Sequence, residues 1–516
     1  MNLRVVVSIL IAILVARTEA CSAEVWMPSV FGDHMVLQEG MPVPVWGTAA
    51  AGETLSVSID GHTSKARADA QGVWRVKLPK MGYGGPYRLT VSAASGTKTF
   101  SDVMVGEVWV ASGQSNMQWP LSLARNAEKE IAAANFPGLR LFYVERKTAT
   151  TPQRDCKATW TQTTPDTAKD FSAVAYFFGR ELHQRRGVTV GMIHTSWGGT
   201  SAEAWTSRPS LEANKKFAPI LTRWDGLVQG YPAARAAYEQ AHAEWTKARD
   251  AATAAGTEVP AEPRGPVAPD DPNRPANLYN GMIAPLLPYA IRGAIWYQGE
   301  SNAGRAYQYR SLFPNMIQNW RDAWGEGDFP FLFVQLANYM ERQAEPGESA
   351  WAELREAQTM TLSLPKTGMA VAIDIGDAKD IHPNNKQDVG QRLWYAAERV
   401  AYGNRGAEES GPLFASVTYS GGVARVRFSN ARLGLKTMDS GPVKGFEIAG
   451  ADYKFVWADA RIDGDSVVVS SPAVKSPVAV RYGWADNPEC TLYSGAGLPA
   501  SPFRTDDRPG TTVANE

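Results

Sequence analysis

Cysteine is scarce in this chain: 3 residues in 516 exclude a disulfide-dense scaffold and a repeated zinc framework. Neither sign of charge is in surplus, since 52 Lys and Arg face 53 Asp and Glu for a formal net charge of -1. Duplex-binding proteins carry a basic excess, so nucleic acid is not an expected partner. Beyond the first 23 residues no apolar run is long enough to span a bilayer, and no stable membrane insertion is expected of that part. Histidine is rare as well, at 6, which leaves few candidates for imidazole chemistry. What is present is an ordinary globular balance of 44% hydrophobic and 20% charged residues. With 46 Gly and 33 Pro the chain is turn-rich, and its length suggests two to four domains at roughly 150 residues each.

The first 23 residues read as a signal peptide, with Arg4 in a positive n-region, an apolar h-region over residues 5–15, and small residues at Ala20 and Ala23. Export to the periplasm or the medium is therefore expected. Cys21 raises lipoprotein anchoring, but Thr18-Glu19-Ala20 is a poor lipobox. Cys156 and Cys490 could pair in an oxidising compartment, and the sequence leaves that open.

Residues 24–103 read as a β-sandwich: Leu55, Val57 and Ile59 alternate with serines before an Asp60-Gly61 turn, and Trp74, Val76 and Leu78 alternate with Arg75 and Lys77. From 104 to 406 short apolar runs (105–111, 188–194, 290–297, 329–336, 369–373) alternate with helix-length segments such as 171–184. That is the pattern of an α/β domain with a mainly parallel sheet, whose ligand chemistry lies at the carboxyl ends of its strands. Residues 207–275 interrupt it as an insertion, with an Ala-rich helix expected over 232–255 and a proline-rich, charged linker over 257–275. From 407 to 516 the β pattern returns, with Ala424, Val426 and Phe428 alternating with arginines and a hairpin at Asp463-Gly464.

Three strand ends carry unusual residues. Gly113-Gln114-Ser115-Asn116-Met117 puts a serine in a glycine-containing turn, where its Oγ can be exposed beside free backbone N–H groups. Met117 breaks the G-x-S-x-G nucleophile elbow. Trp197-Gly198-Gly199-Thr200 offers paired glycines for close backbone approach. Gln298-Gly299-Glu300-Ser301-Asn302 echoes the first motif and makes Ser301 a rival nucleophile to Ser115. A serine needs a base and the base an orienting carboxylate. His34 and His62 lie in the N-terminal domain, His183 and His242 on expected helices, and His194 at a strand end. His382 sits in a loop with Asp380 and Asp377 nearby.

Taken together, GQSNM (113–117), WGGT-x-x-EAW (197–205), LYNGMIAPL (278–286), WYQGESN (296–302) and DIHPNNKQDVGQRL (380–393) resemble the sialate O-acetylesterase family of the SGNH hydrolases. The likeness extends to FGDHMVLQ (31–38) and GWADNPECTLYSGAGLPASPFRTD (483–506), so it spans nearly all of the chain after residue 23 except the insertion. It implies a flavodoxin-type parallel sheet flanked by helices, with N-terminal and C-terminal β-rich domains. It also implies a serine carbohydrate esterase acting on acetylated glycans, plant polysaccharide such as xylan or xyloglucan or sialic acid, without cofactor or metal. By that resemblance Ser115 is the nucleophile, His382 the base and Asp380 its orienting acid, with Asp377 the other candidate. The oxyanion hole would use the Ser115 N–H, an N–H of the Gly198–Gly199 pair (taken as Gly199) and the Gln298 side chain. The other readings are a serine esterase or lipase acting on other esters, against which the absent G-x-S-x-G counts, and a non-catalytic glycan-binding protein.

Overall fold

The computed structural model describes residues 24–406, 408–438 and 440–515; the expected signal peptide and Cys21 lie outside them. Its backbone is organised around one strand, β1 (Gly96–Gly113), 18 residues long. Side chains on β1 alternate between more and less exposed up to Met104 and are buried at every position from Val105 to Gly113. The first half is thus a two-faced antiparallel strand, paired with Gly84–Ala93, and the second a fully covered parallel one. The boundary expected after Val103 falls inside this strand, and residues on both sides of it share one hydrophobic core. In the N-terminal region Thr54–Ile59 also pairs with His62–Arg67 and Gly84–Ala93, while Val43–Thr48 and Val73–Leu78 form a second ribbon. Leu55, Val57, Ile59, Trp74, Val76 and Leu78 are all buried, as the alternation predicts.

The central sheet contains β1, β2 (Val190–Ser196), β3 (Gly293–Tyr297), β4 (Phe331–Gln335) and β5 (Thr367–Val371), in the order β2-β1-β3-β4-β5. Every pair among them is parallel. This 2-1-3-4-5 order is the flavodoxin-like winding. Phe136–Tyr143 adds a further parallel strand beside β2, and Trp160–Thr163 an antiparallel edge. Crossover helices cover the sheet. Helix α1 (Ala173–Arg186) starts at the Ser172 cap, whose Oγ accepts from the Ala175 N–H, and stops at Gly187 in the left-handed region. It packs against α5 (Lys386–Val400), while α3 (Ala306–Trp324) packs against α4 (Ala350–Met360). α1 lies against β2, and α5 lies against β4 and β5.

The insertion differs from expectation at its start. Helix α2 runs from Ala218 to Ala255, with Pro232 in its interior. Burial of Ile220 and Trp224 anchors the turns before the proline, and that packing outweighs the hydrogen bond and the steric fit lost at Pro232. The proline-rich stretch then folds back, and the Trp245 Nε1–H donates to the Pro260 carbonyl at 2.8 Å.

Four-stranded antiparallel sheets and a two-stranded ribbon build the C-terminal region around its own core of Val426, Phe446, Ile448, Val467, Val480 and Tyr482. Buried Arg355 of α4 joins it to the central sheet, donating to the Leu336 and Ala337 carbonyls on one side and to those of Ala485 and Asp486 on the other. Cys156 and Cys490 are both free thiols, so the pairing left open by the sequence is not made. No helix among the described residues is long and apolar enough to cross a membrane.

Candidate active site

Ser115 opens a single helical turn, Ser115–Gln118, immediately beyond β1. Gly113 makes this approach possible: at φ 141°, a Cβ there would lie 2.2 Å from the Tyr297 carbonyl oxygen on β3. The Ser115 N–H, at the first helical position, has no backbone acceptor among the described residues, as at helix starts generally. Across the mouth of the sheet, the loop before α5 brings His382 Nε2 to 2.9 Å from Ser115 Oγ. Asp380 Oδ1 lies 3.4 Å from His382 Nδ1 and accepts the His382 backbone N–H at 2.8 Å. Asp377 instead accepts the Lys379 N–H at 2.7 Å and closes its own turn. On the far side of the imidazole, the Trp119 ring is stacked at 5.1 Å.

Burial is the largest influence on His382 and pushes its pKa below the usual value, with the Lys386 charge acting in the same direction and Asp380 opposing it. A neutral imidazole is the form that can accept the Ser115 proton. His194, the other strand-end histidine, is fully buried, stacked on Tyr143 and bonded through Nε2 to Ser196 Oγ at 2.5 Å. Burial lowers its pKa to about 3, and it serves the core. Ser301 has no imidazole partner among the described residues; its N–H points at Gln114 Oε1, 3.2 Å away.

The glycine loop after β2 meets the serine turn directly. The Gly198 N–H donates to Gln118 Oε1 at 2.7 Å, and a Cβ on Gly198 would sit 3.2 Å from that of Ser115. The Gly199 N–H has no protein acceptor among the described residues.

Gln298 departs from expectation. Its side chain is fully buried, and its amide donates to the Thr200 carbonyl at 3.2 Å and to Asn302 Oδ1 at 2.6 Å. The Thr200 carbonyl can only accept, which fixes the orientation of the amide, and Tyr309 OH donates to the remaining oxygen. Both N–H bonds are committed, so no donor remains for an oxyanion. In this geometry Gln298 is a buried tie between the end of β3 and the Thr200 loop.

Sequence reasoning passed over a group beneath the serine. Lys386, the first residue of α5, is fully buried, and its Nζ donates to Asn116 Oδ1 at 2.5 Å. Asn116 Nδ2 donates in turn to Glu300 Oε1 at 2.6 Å and to the Ile381 carbonyl at 3.0 Å. Lys386 stood inside the quoted 380–393 motif, but a lone lysine reads as a solvated charge, and nothing local marks it as buried.

A parallel sheet of this order, with a hydrogen-bonded serine and histidine at its carboxyl edge, defines a carboxylic ester hydrolase of the SGNH type. Residues 270–399 match the family model described as carbohydrate esterase, sialic acid-specific acetylesterase. The chain is 30% identical over 525 residues to the sialate O-acetylesterase of Mus musculus, covering 92% of this chain and 93% of that protein. It is 29% identical over 538 residues to the human sialate O-acetylesterase, covering 93% of each. A crystal structure of a carbohydrate acetylesterase from Xanthomonas citri superposes with a TM-score of 0.80 at 40% identity, covering 94% of this chain and all of that one. The chain belongs to the sialate O-acetylesterase family.

Proposed function

We propose that this protein removes O-acetyl groups from glycans by two-step acyl transfer, with Ser115 as nucleophile, His382 as general acid and base, and Asp380 as the residue that orients the imidazole. The observation that carries the reading is the 2.9 Å contact between His382 Nε2 and Ser115 Oγ at the carboxyl end of β1. His382 takes the Ser115 proton as Oγ attacks the acetyl carbonyl carbon. The Ser115 and Gly199 N–H groups, for which the structure gives no acceptor among the described residues, are the donors assigned to the developing oxyanion. His382 then protonates the departing sugar oxygen, leaving an acetyl-enzyme. Water attacks that ester, gives its proton to His382, and acetate leaves as Ser115 is regenerated.

The family implies an acetylated carbohydrate as substrate. Acetylated sialic acid and acetylated plant polysaccharide, xylan or xyloglucan, are the candidates to compare by acetate release. Export is inferred from Arg4 and the apolar stretch 5–15. The deciding experiment measures acetate release together with covalent labelling by a serine-directed phosphonate. Ser115→Ala is expected to lose on the order of 10⁴–10⁶ in kcat and all labelling, whereas Ser301→Ala keeps the label. A label that maps to Ser301 would overturn the assignment.

A further inference from the structure

The buried group under Ser115 is poorly suited to a merely structural task. A lysine at the first position of α5 faces the positive end of the helix dipole, which disfavours its charge. Full burial disfavours it further and lowers its pKa to about 7. An apolar side chain would fill the same space without either cost. Yet Lys386 is placed where its Nζ meets the residue after the nucleophile, at 2.5 Å from Asn116 Oδ1, with the rings of Trp119 and Tyr297 at 5.7 and 5.3 Å. The orientation of Asn116 is fixed, because its Nδ2 donates to the Ile381 carbonyl, which can only accept. Ile381 immediately precedes His382. One amide therefore joins three elements: the serine turn through its own backbone, the histidine loop through Ile381, and α5 through Lys386. Its second Nδ2 contact is the half-buried Glu300, whose pKa is raised by desolvation and whose Oε2 is buried without a partner among the described residues.

We propose that Lys386 is a positioning residue that locks the Ser115 turn to the His382 loop through Asn116 and sets the electrostatic field at the His382 imidazole. The charged groups acting on that imidazole are Asp380, from its own loop, and Lys386, from α5. Those acting on Lys386 are Glu300 and Asp380. When Lys386 is protonated, its charge opposes a second positive charge on His382. The hydrogen bond and the charge are separable, because glutamine keeps a donor for Asn116 while methionine keeps only the shape.

The inference rests on the catalytic roles given above to Ser115 and His382, and its test reads a different quantity. Full-length wild type, Lys386→Met and Lys386→Gln are compared on p-nitrophenyl acetate across pH, with thermal melts as the folding control. Lys386→Met is expected to lower kcat by about tenfold or more with KM within about twofold, since the tie to Asn116 is lost. Lys386→Gln is expected to keep most of kcat. In both, the acid limb of kcat/KM should move to higher pH by roughly half a unit or more, because the like charge is gone. Should Lys386→Met fail to fold, the acid limb of Lys386→Gln decides. Folded variants whose acid limb stays at the wild-type position would overturn the proposal while leaving the esterase reading intact. A wild type without activity on any acetyl ester would sink the esterase reading itself.

Discussion

The imidazole of His382 lies flat against the indole of Trp119, with ring centroids 5.1 Å apart and planes 16° from parallel. Trp119 is four residues beyond Ser115, and its Nε1–H is held by the Leu123 carbonyl at 2.9 Å. The nucleophile turn thus supplies the wall against which its own base rests. Asp380 lies at 3.4 Å and is more than half exposed, so this wall is a second restraint on the ring plane beside the carboxylate.

Stacking of this kind contributes about 0.5–1.5 kcal/mol. Trp119→Ala should therefore lower kcat by about 2- to 10-fold on a small acetyl ester, and Trp119→Phe should restore most of it. Unchanged kcat in a well-folded Trp119→Ala enzyme would show that the ring does not position His382.

Activity should fall on the acid side as His382 gains a proton. Its pKa is lowered, chiefly by burial, so the neutral base persists below the usual histidine value near 6.5, and the loss comes at correspondingly lower pH. Asp380 favours the protonated imidazole. Asp380→Asn should move the acid limb lower still and reduce kcat by about 10- to 100-fold, less than for an enclosed triad carboxylate. Asp377→Asn should stay within about twofold of wild type, because Asp377 only closes its own turn. The reverse ranking in steady-state kinetics would move the orienting role to Asp377.

Much of this arrangement was legible in the sequence because it depends on local signals. The apolar runs at 105–111 and 290–297 end in glycine turns, and a fully covered parallel strand needs both features. Ser115 and His382 were legible as polar residues at strand and loop ends. The positions of Lys386 and Glu300 were not, since two charged residues separated by 86 positions are brought together only by the winding of the sheet. The apolar run before Gln298 puts it at the carboxyl edge of the sheet, but its direction depends on Thr200, Asn302 and Tyr309, partners that periodicity does not reveal. The extent of α2 was hidden by Pro232, because tertiary anchoring at Ile220 and Trp224 overrides a local breaking signal.

His194 gives a stability prediction of opposite origin to the catalytic one. Its folded pKa is about 3, from burial alone, against an ordinary value near 6.5. Above 6.5 it is neutral in both folded and unfolded chains and costs nothing. As pH falls below 6.5 the unfolded chain takes up a proton that the folded one refuses, and stability drops by about 1.4 kcal/mol per pH unit until the folded pKa is reached. Thermal melts between pH 7 and 4 should therefore decline less steeply for His194→Phe than for wild type. Parallel declines would mean that His194 is protonated in the fold.

Gln298 separates a donor to the oxyanion from a structural tie. Its amide hydrogens go to the Thr200 carbonyl and Asn302 Oδ1, and its oxygen takes the Tyr309 hydroxyl. Asn302 is itself engaged, accepting the Ala202 N–H at 2.9 Å and donating to buried Glu203 at 2.9 Å. Glu203 is charge-paired with Arg305 at 2.7 Å, so Gln298 closes one end of a polar chain running under the glycine loop. Gln298→Ala takes that partner from the Thr200 carbonyl and the Tyr309 hydroxyl away from water, at a cost of about 1–3 kcal/mol for each, while Asn302 Oδ1 keeps the Ala202 N–H. The melting temperature should drop clearly, and kcat should fall as the Gly198–Gly199 loop loosens. Gln298→Glu should be worse when ionised, because a carboxylate would face the Thr200 carbonyl and Asn302 Oδ1, both acceptors. A Gln298→Ala enzyme that melts like wild type yet loses on the order of 10²–10³ in kcat would instead restore Gln298 to the oxyanion hole, since only a group that meets the transition state gives that pattern.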